Sequence, residues 1–158
     1  MYKRVLVPLD GSQLSENVLP FLTEIAGPLD MTIMLLRVLE PVQQTLVDGG
    51  PGIPVDDLQS RRRVAAEYLA PLAAGLRARG IDTAAIVRVG RAEDEILAAA
   101  RDDRADLIAM STHGRSGLGR LLFGSVAEQV LRHADVPVFL MRQTRERPVM
   151  PHRTEAKR

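Results

Sequence analysis

A chain of 158 residues is long enough for one domain with a substantial core and too short for two ordinary ones. Its 46% hydrophobic and 26% charged residues fit a globular protein, the absence of cysteine excludes disulfides and thiolate metal sites, and a net charge of +1 argues against a general nucleic-acid binder. No apolar run approaches the roughly 18 residues needed to cross a bilayer and residues 1–8 leave no room for a leader, so no membrane association and a cytoplasmic location are expected.

The first apolar run, residues 5–9, reads as a strand buried on both faces. It ends at Asp10, Gly11 and Ser12, and Ser12 suits the N-cap of a helix reaching about Ala26, with Leu14, Val18, Leu22 and Ile25 at helical spacing. Pro20 inside that helix removes a backbone hydrogen bond and predicts a bend. Residues 31–39 form the second strand. The stretch 40–57, with Gly49, Gly50, Pro51, Gly52 and Pro54, is too long for a plain connection and reads as a flap or insert. A helix over 58–79 places Ala65, Leu69, Leu72 and Leu76 on one face and closes at Gly80, with Pro71 predicting a kink. Arg61, Arg62 and Arg63 read as a solvated helix end. The third strand covers 83–89, a helix 93–101, the fourth strand 106–111, the last helix 124–134 and the fifth strand 136–141. Met31, Met34, Met110 and Met141 fall on or beside strands and read as core fillers. Residues 143–158 carry Arg145, Arg147, Arg153, Lys157 and Arg158 against Glu146 and Glu155, with almost nothing apolar, and read as a disordered basic tail.

Five strands alternating with four helices predict one α/β domain over 1–142, a mostly parallel sheet with helices on both faces. In such sheets ligands sit beyond the carboxyl ends of the strands, where the strand order reverses. The segment that follows the fourth strand is accordingly the candidate site. Gly114, Gly117, Gly119 and Gly124 allow close backbone approach and positive φ, and Gly124 with Ser125 starts a helix whose free N–H groups favour phosphate. The only lysines are Lys3 and Lys157, so Arg115 and Arg120 are the expected countercharges. His113, Asp10 and Ser125 meet no nucleophile-elbow pattern that would make them a hydrolytic triad. No cluster has metal-ligand spacing, so any Mg2+ is expected to arrive on the phosphates.

Val5-Leu6-Val7-Pro8-Leu9-Asp10-Gly11-Ser12, Ser111-Thr112-His113-Gly114-Arg115-Ser116-Gly117-Leu118, Gly124-Ser125-Val126-Ala127-Glu128 and Val136-Pro137-Val138 together resemble the UspA-type universal stress protein family over residues 1–142. Its ATP-binding branch carries Gly, two residues, Gly, nine residues, then Gly-Ser or Gly-Thr. Here Gly114, Gly124 and Ser125 match, and Ser111 replaces the first glycine. The resemblance implies a Rossmann-like sheet of order 3-2-1-4-5. It implies that Asp10 meets the ribose or base, that the Val38 backbone meets adenine, and that Pro8 and Met110 line the base pocket. Gly114, Gly124, Ser125 and Val126 would hold phosphates, with Ser111, His113, Arg115 and Gly117 alongside. The expected ligand is ATP or another adenine nucleotide such as AMP or a cyclic form, held for regulation with at most slow hydrolysis. Ser111 keeps open a dimeric interaction module that binds no nucleotide. In that strand order Pro137, Val138, Phe139, Leu140 and Met141 form an apolar, charge-free sheet edge, and a homodimer pairing two such edges is expected.

Overall fold

The computed structural model describes residues 2–41, 56–113 and 124–143. Five parallel strands, β1 (Arg4–Pro8), β2 (Thr32–Leu39), β3 (Thr83–Val89), β4 (Leu107–His113) and β5 (Val138–Gln143), form one sheet in the order β3-β2-β1-β4-β5. The helices are α1 (Gln13–Glu16), α2 (Val18–Ala26), α3 (Asp56–Arg77), α4 (Ala92–Asp102) and α5 (Ser125–His133). The sheet order and the helical cover on both faces agree with the expectation from sequence.

Successive residues of the inner strands enter opposite cores, which is why those runs are apolar without alternation. Val5, Val7 and Leu9 join Ile33, Leu35 and Ala109 against α2 and α3, through Val18, Leu22, Leu69 and Ala73. Leu6, Met34, Leu36, Ile108 and Met110 pack on the other side against Ile96 and Ala99 of α4 and Ala127 and Val130 of α5. The aromatic rings of Phe21 and Phe139 stack with centroids 4.8 Å apart where α2 meets the β5 edge.

The structure corrects several local expectations. The helix expected over 12–26 is two helices divided at Asn17, whose N–H donates to the Leu14 carbonyl at 3.2 Å. Pro20 explains the division. Its ring would collide with the Glu16 carbonyl in a continuous helix, whereas in the first turn of α2 its missing N–H deprives no one of a partner. Pro71, by contrast, lies inside an unbroken α3. β4 runs to His113, two residues past the expected end at Ser111, so the connection to α5 starts later than expected. β5 is displaced towards the C-terminus: Pro137 precedes it and exposed Arg142 belongs to it, so the edge is not free of charge. Gly124 has φ −59°, an ordinary conformation, so the expected need for positive φ there is absent. The positive φ that matters is at Gly11 (φ 87°), in the turn after β1. Most of the expected flap (42–55), and residues 144–158 of the expected tail, lie outside the described residues.

Leu69 of α3 is wholly buried in the first core. Leu69→Ala is expected to lower the unfolding free energy by about 2–5 kcal/mol, read from denaturant midpoints. A loss below about 0.5 kcal/mol would show that α3 does not cover this face of the sheet.

Candidate functional site

A cavity of about 280 Å³ opens at the carboxyl end of the sheet, between the ends of β1, β2 and β4 and the starts of α1, α4 and α5. Leu36, Val38, Ile96, Met110 and Ala127 make one apolar side. Asp10, Ser15, Arg37 and Ser111 supply polar groups, and exposed Gly124 and Ser125 stand at the mouth. The gap exists because β1 stops at Pro8, opposite Leu36, while β2 continues to Leu39. Leu36 accepts from the Leu9 N–H at 2.8 Å on the β1 side, and Leu39 accepts from Gly90 on the β3 side. Alternation along a parallel strand therefore turns the N–H and carbonyl of Val38 to the β1 side, beyond the end of that strand.

The turn after β1 is held by its own polar groups. The Ser12 N–H and hydroxyl both donate to Asp10 Oδ1, at 2.8 and 2.5 Å, while the Ser12 hydroxyl oxygen caps α1 by accepting from the Ser15 N–H at 3.2 Å. The buried Ser15 hydroxyl donates to the Ser12 carbonyl at 2.8 Å and accepts from the Asp10 N–H at 3.3 Å. Arg37 reaches under the turn, its Nη1 donating to the Leu9 carbonyl at 3.3 Å. Burial works against the Asp10 carboxylate. The donors of Ser12 and Ser15 and the charge of Arg37 outweigh it, and the carboxyl titrates below its ordinary value. On the outer side of α1 the Tyr68 hydroxyl donates to Glu16 Oε1 at 2.7 Å, and burial with that bond pushes the Tyr68 hydroxyl up.

Of the residues expected at the site, Pro8, Asp10, Val38, Met110, Ser111, Gly124, Ser125 and Val126 line this one cavity. The backbone of His113 ends β4, and its side chain lies outside the described residues together with Gly114, Arg115, Gly117, Gly119 and Arg120. Sequence reasoning missed Arg37, Leu14, Ser15, Ala92 and Ile96 in the wall. Arg37 carried a signal that went unused, a lone charge inside an otherwise apolar strand. The buried Ser111 Oγ has no hydrogen-bond partner among the described residues.

A doubly wound parallel sheet with a crevice at the reversal of strand order defines this chain as a member of the Rossmann-like α/β class of folds. A family model, "Universal stress protein family", matches residues 1–142, and the chain belongs to that family. Universal stress protein MJ0577 of Methanocaldococcus jannaschii is 26% identical over 156 residues, spanning 90% of this chain and 96% of the relative. The solved structure of MJ0577 superposes with a TM-score of 0.75 at 25% identity, covering 92% of this chain and 99% of the other. Two further structures share the fold: a universal stress protein in complex with cAMP (TM-score 0.63, 23% identity, 90% and 98% coverage) and an Arabidopsis thaliana family protein with AMP bound (TM-score 0.64, 18% identity, 90% and 93% coverage). Among the described residues no helix is long and apolar enough to cross a membrane.

The depressed Asp10 value fixes the sign of a pH effect. A carboxyl held below its ordinary 3.8 in the folded state stabilises the fold fully above that value and loses its contribution as pH falls through the lower folded value. Asp10→Asn is therefore expected to narrow the stability gain between acid and neutral pH, measured as unfolding midpoint against pH. An unchanged profile would show that the turn does not favour the ionised carboxyl.

Proposed function

We propose that this chain binds an adenine nucleotide in the cavity at the carboxyl end of the sheet and acts as a regulatory module through that binding. The observation that carries the reading is a crevice with one apolar side, an open Val38 backbone edge and, at Ser111, a buried hydroxyl with no partner among the described residues. The apolar side suits a purine, with Pro8 and Met110 beside it and the Val38 N–H and carbonyl able to pair with the edge of the base. Asp10, ionised at neutral pH, repels phosphate and accepts from neutral hydroxyls, which supports the reading that it meets the ribose. Phosphates would then lie towards Gly124, Ser125 and Val126, where α5 begins without a side-chain cap, and Arg37 is a cation in the same cavity lining. His113, Gly114, Arg115 and Gly117 belong to this reading through the family resemblance. ATP, with Mg2+ on its phosphates, is the ligand that the resemblance implies, and AMP and cAMP are the ligands of the two neighbours described above.

The same reading includes a homodimer. β5 is a sheet edge on which Val138, Phe139, Leu140 and Met141 are all half-buried, and pairing with a second copy would cover it.

Titration calorimetry of the nucleotide-stripped protein with ATP and Mg2+, AMP and cAMP tests the binding. A saturable heat near one site per chain at micromolar affinity is expected for at least one ligand. Gly124→Val supplies the control for place. Its φ suits valine and a Cβ there meets nothing within 4 Å among the described residues, so the variant should fold as the wild type and lose roughly tenfold or more in affinity. Absence of heat with every nucleotide in a folded sample would end the reading, and full affinity in the valine variant would move the phosphates elsewhere.

Sedimentation at about ten micromolar is expected to give a species of twice the chain mass. A monomer at that concentration would overturn the dimer.

A further inference from the structure

We infer that Ser111 is a specificity-determining residue that hydrogen-bonds a sugar hydroxyl of the bound nucleotide, so that the site prefers ribonucleotides to deoxyribonucleotides. The inference rests on the nucleotide reading and deepens it.

Three observations lead to it. Ser111 sits on a strand, not in a loop: β4 pairs it with Met141 of β5, so its backbone is held in place. Alternation along β4 puts its side chain on the face of Ala109, the face that α2 and α3 cover, rather than the face of Met110 and Thr112. The residue lines the cavity, and its Oγ is buried with no partner among the described residues. A hydroxyl in that condition carries an unmet desolvation cost until something pairs with it.

The neighbouring polar groups narrow what that partner is. Asp10 Oδ1 is taken by the two Ser12 donors and the Ser15 hydroxyl is engaged on both sides, whereas Asp10 Oδ2 accepts no hydrogen bond among the described residues. Among the described residues the unengaged groups on this side of the cavity include one anionic acceptor and one hydroxyl able to donate and accept. A phosphate would face an ionised carboxylate there. A purine ring has no hydroxyl to offer. The 2′,3′-diol of a ribose matches both groups at once, one hydroxyl donating to Asp10 and one pairing with Ser111 Oγ. A site built around a ligand hydroxyl rejects the analogue lacking it, because its own buried group is then left unpaired.

The test is a thermodynamic cycle on the full chain. Wild type, Ser111→Ala and Ser111→Gly are titrated with ATP, 2′-deoxy-ATP and 3′-deoxy-ATP, and with the corresponding monophosphates. Ser111→Ala is expected to weaken ribonucleotide binding by about fivefold, while one of the two deoxy analogues binds wild type and variant equally. Ser111→Gly is expected to lose the same discrimination. Ligand-free Ser111→Ala should unfold at or above the wild-type midpoint, because deleting an orphan hydroxyl removes no bond. Unchanged ribonucleotide affinity in Ser111→Ala overturns the inference, and so does a loss of equal size for the ribo and both deoxy forms. A lowered midpoint in the ligand-free variant overturns it as well, since the hydroxyl would then be satisfied within the protein. Failure of the wild type to bind any ribonucleotide would remove the nucleotide reading itself, which keeps the two failures apart.

Discussion

A parallel strand has its backbone groups satisfied on both sides only where both neighbours extend alongside it, and β1, at the centre of the sheet, ends at Pro8. Its neighbours do not end there. β2 runs on to Leu39 and β4 to His113. The early stop leaves a notch between two strands that continue, and the features of the site follow from it. The Val38 backbone edge is turned into the notch, Arg37 donates to the Leu9 carbonyl, and Ser111 lines the cavity with its Oγ buried. A longer β1 would fill the space with ladder hydrogen bonds.

The chain leaves the notch through a turn that needs glycine at Gly11 and is tied by Asp10, Ser12 and Ser15. This turn delivers α1, a single turn of helix placed between the cavity and α3. Because Pro20 divides α1 from α2, α1 is set by its own contacts instead of by the long axis of α2. Leu14 and Ser15 face the cavity, and Glu16 receives the Tyr68 hydroxyl from α3. The helix that walls the site is thereby joined by a hydrogen bond to the helix that follows the 42–55 segment.

Membership of the universal stress protein family accounts for the sheet order and for the position of the crevice. It does not account for Ser111, which stands where the family's ATP-binding branch has glycine. The replacement is chemically consequential because of where β4 ends. In a loop the side chain would find water. In a strand that runs to His113 its Oγ is buried, with no partner among the described residues.

Much of the fold was legible in the chain itself. Runs such as residues 5–9 and 31–39 are apolar at every position but Arg37 and Thr32, which marks strands covered on both faces, and their alternation with helical patterns implies parallel crossovers. The wall positions Pro8, Val38 and Met110 were implied by the family resemblance, and Asp10 both by that resemblance and by its place at a strand end. Propensity is local, so Pro20 announced a disturbance without saying whether the helix would bend or divide, and Gly124 announced a freedom that its φ does not use. The tertiary structure alone decided the rest: the open side of the Val38 backbone, the reach of Arg37 under the Asp10 turn and the orphaned Ser111 hydroxyl. Each depends on where one strand stops relative to another, and that register is set by packing between segments far apart in sequence.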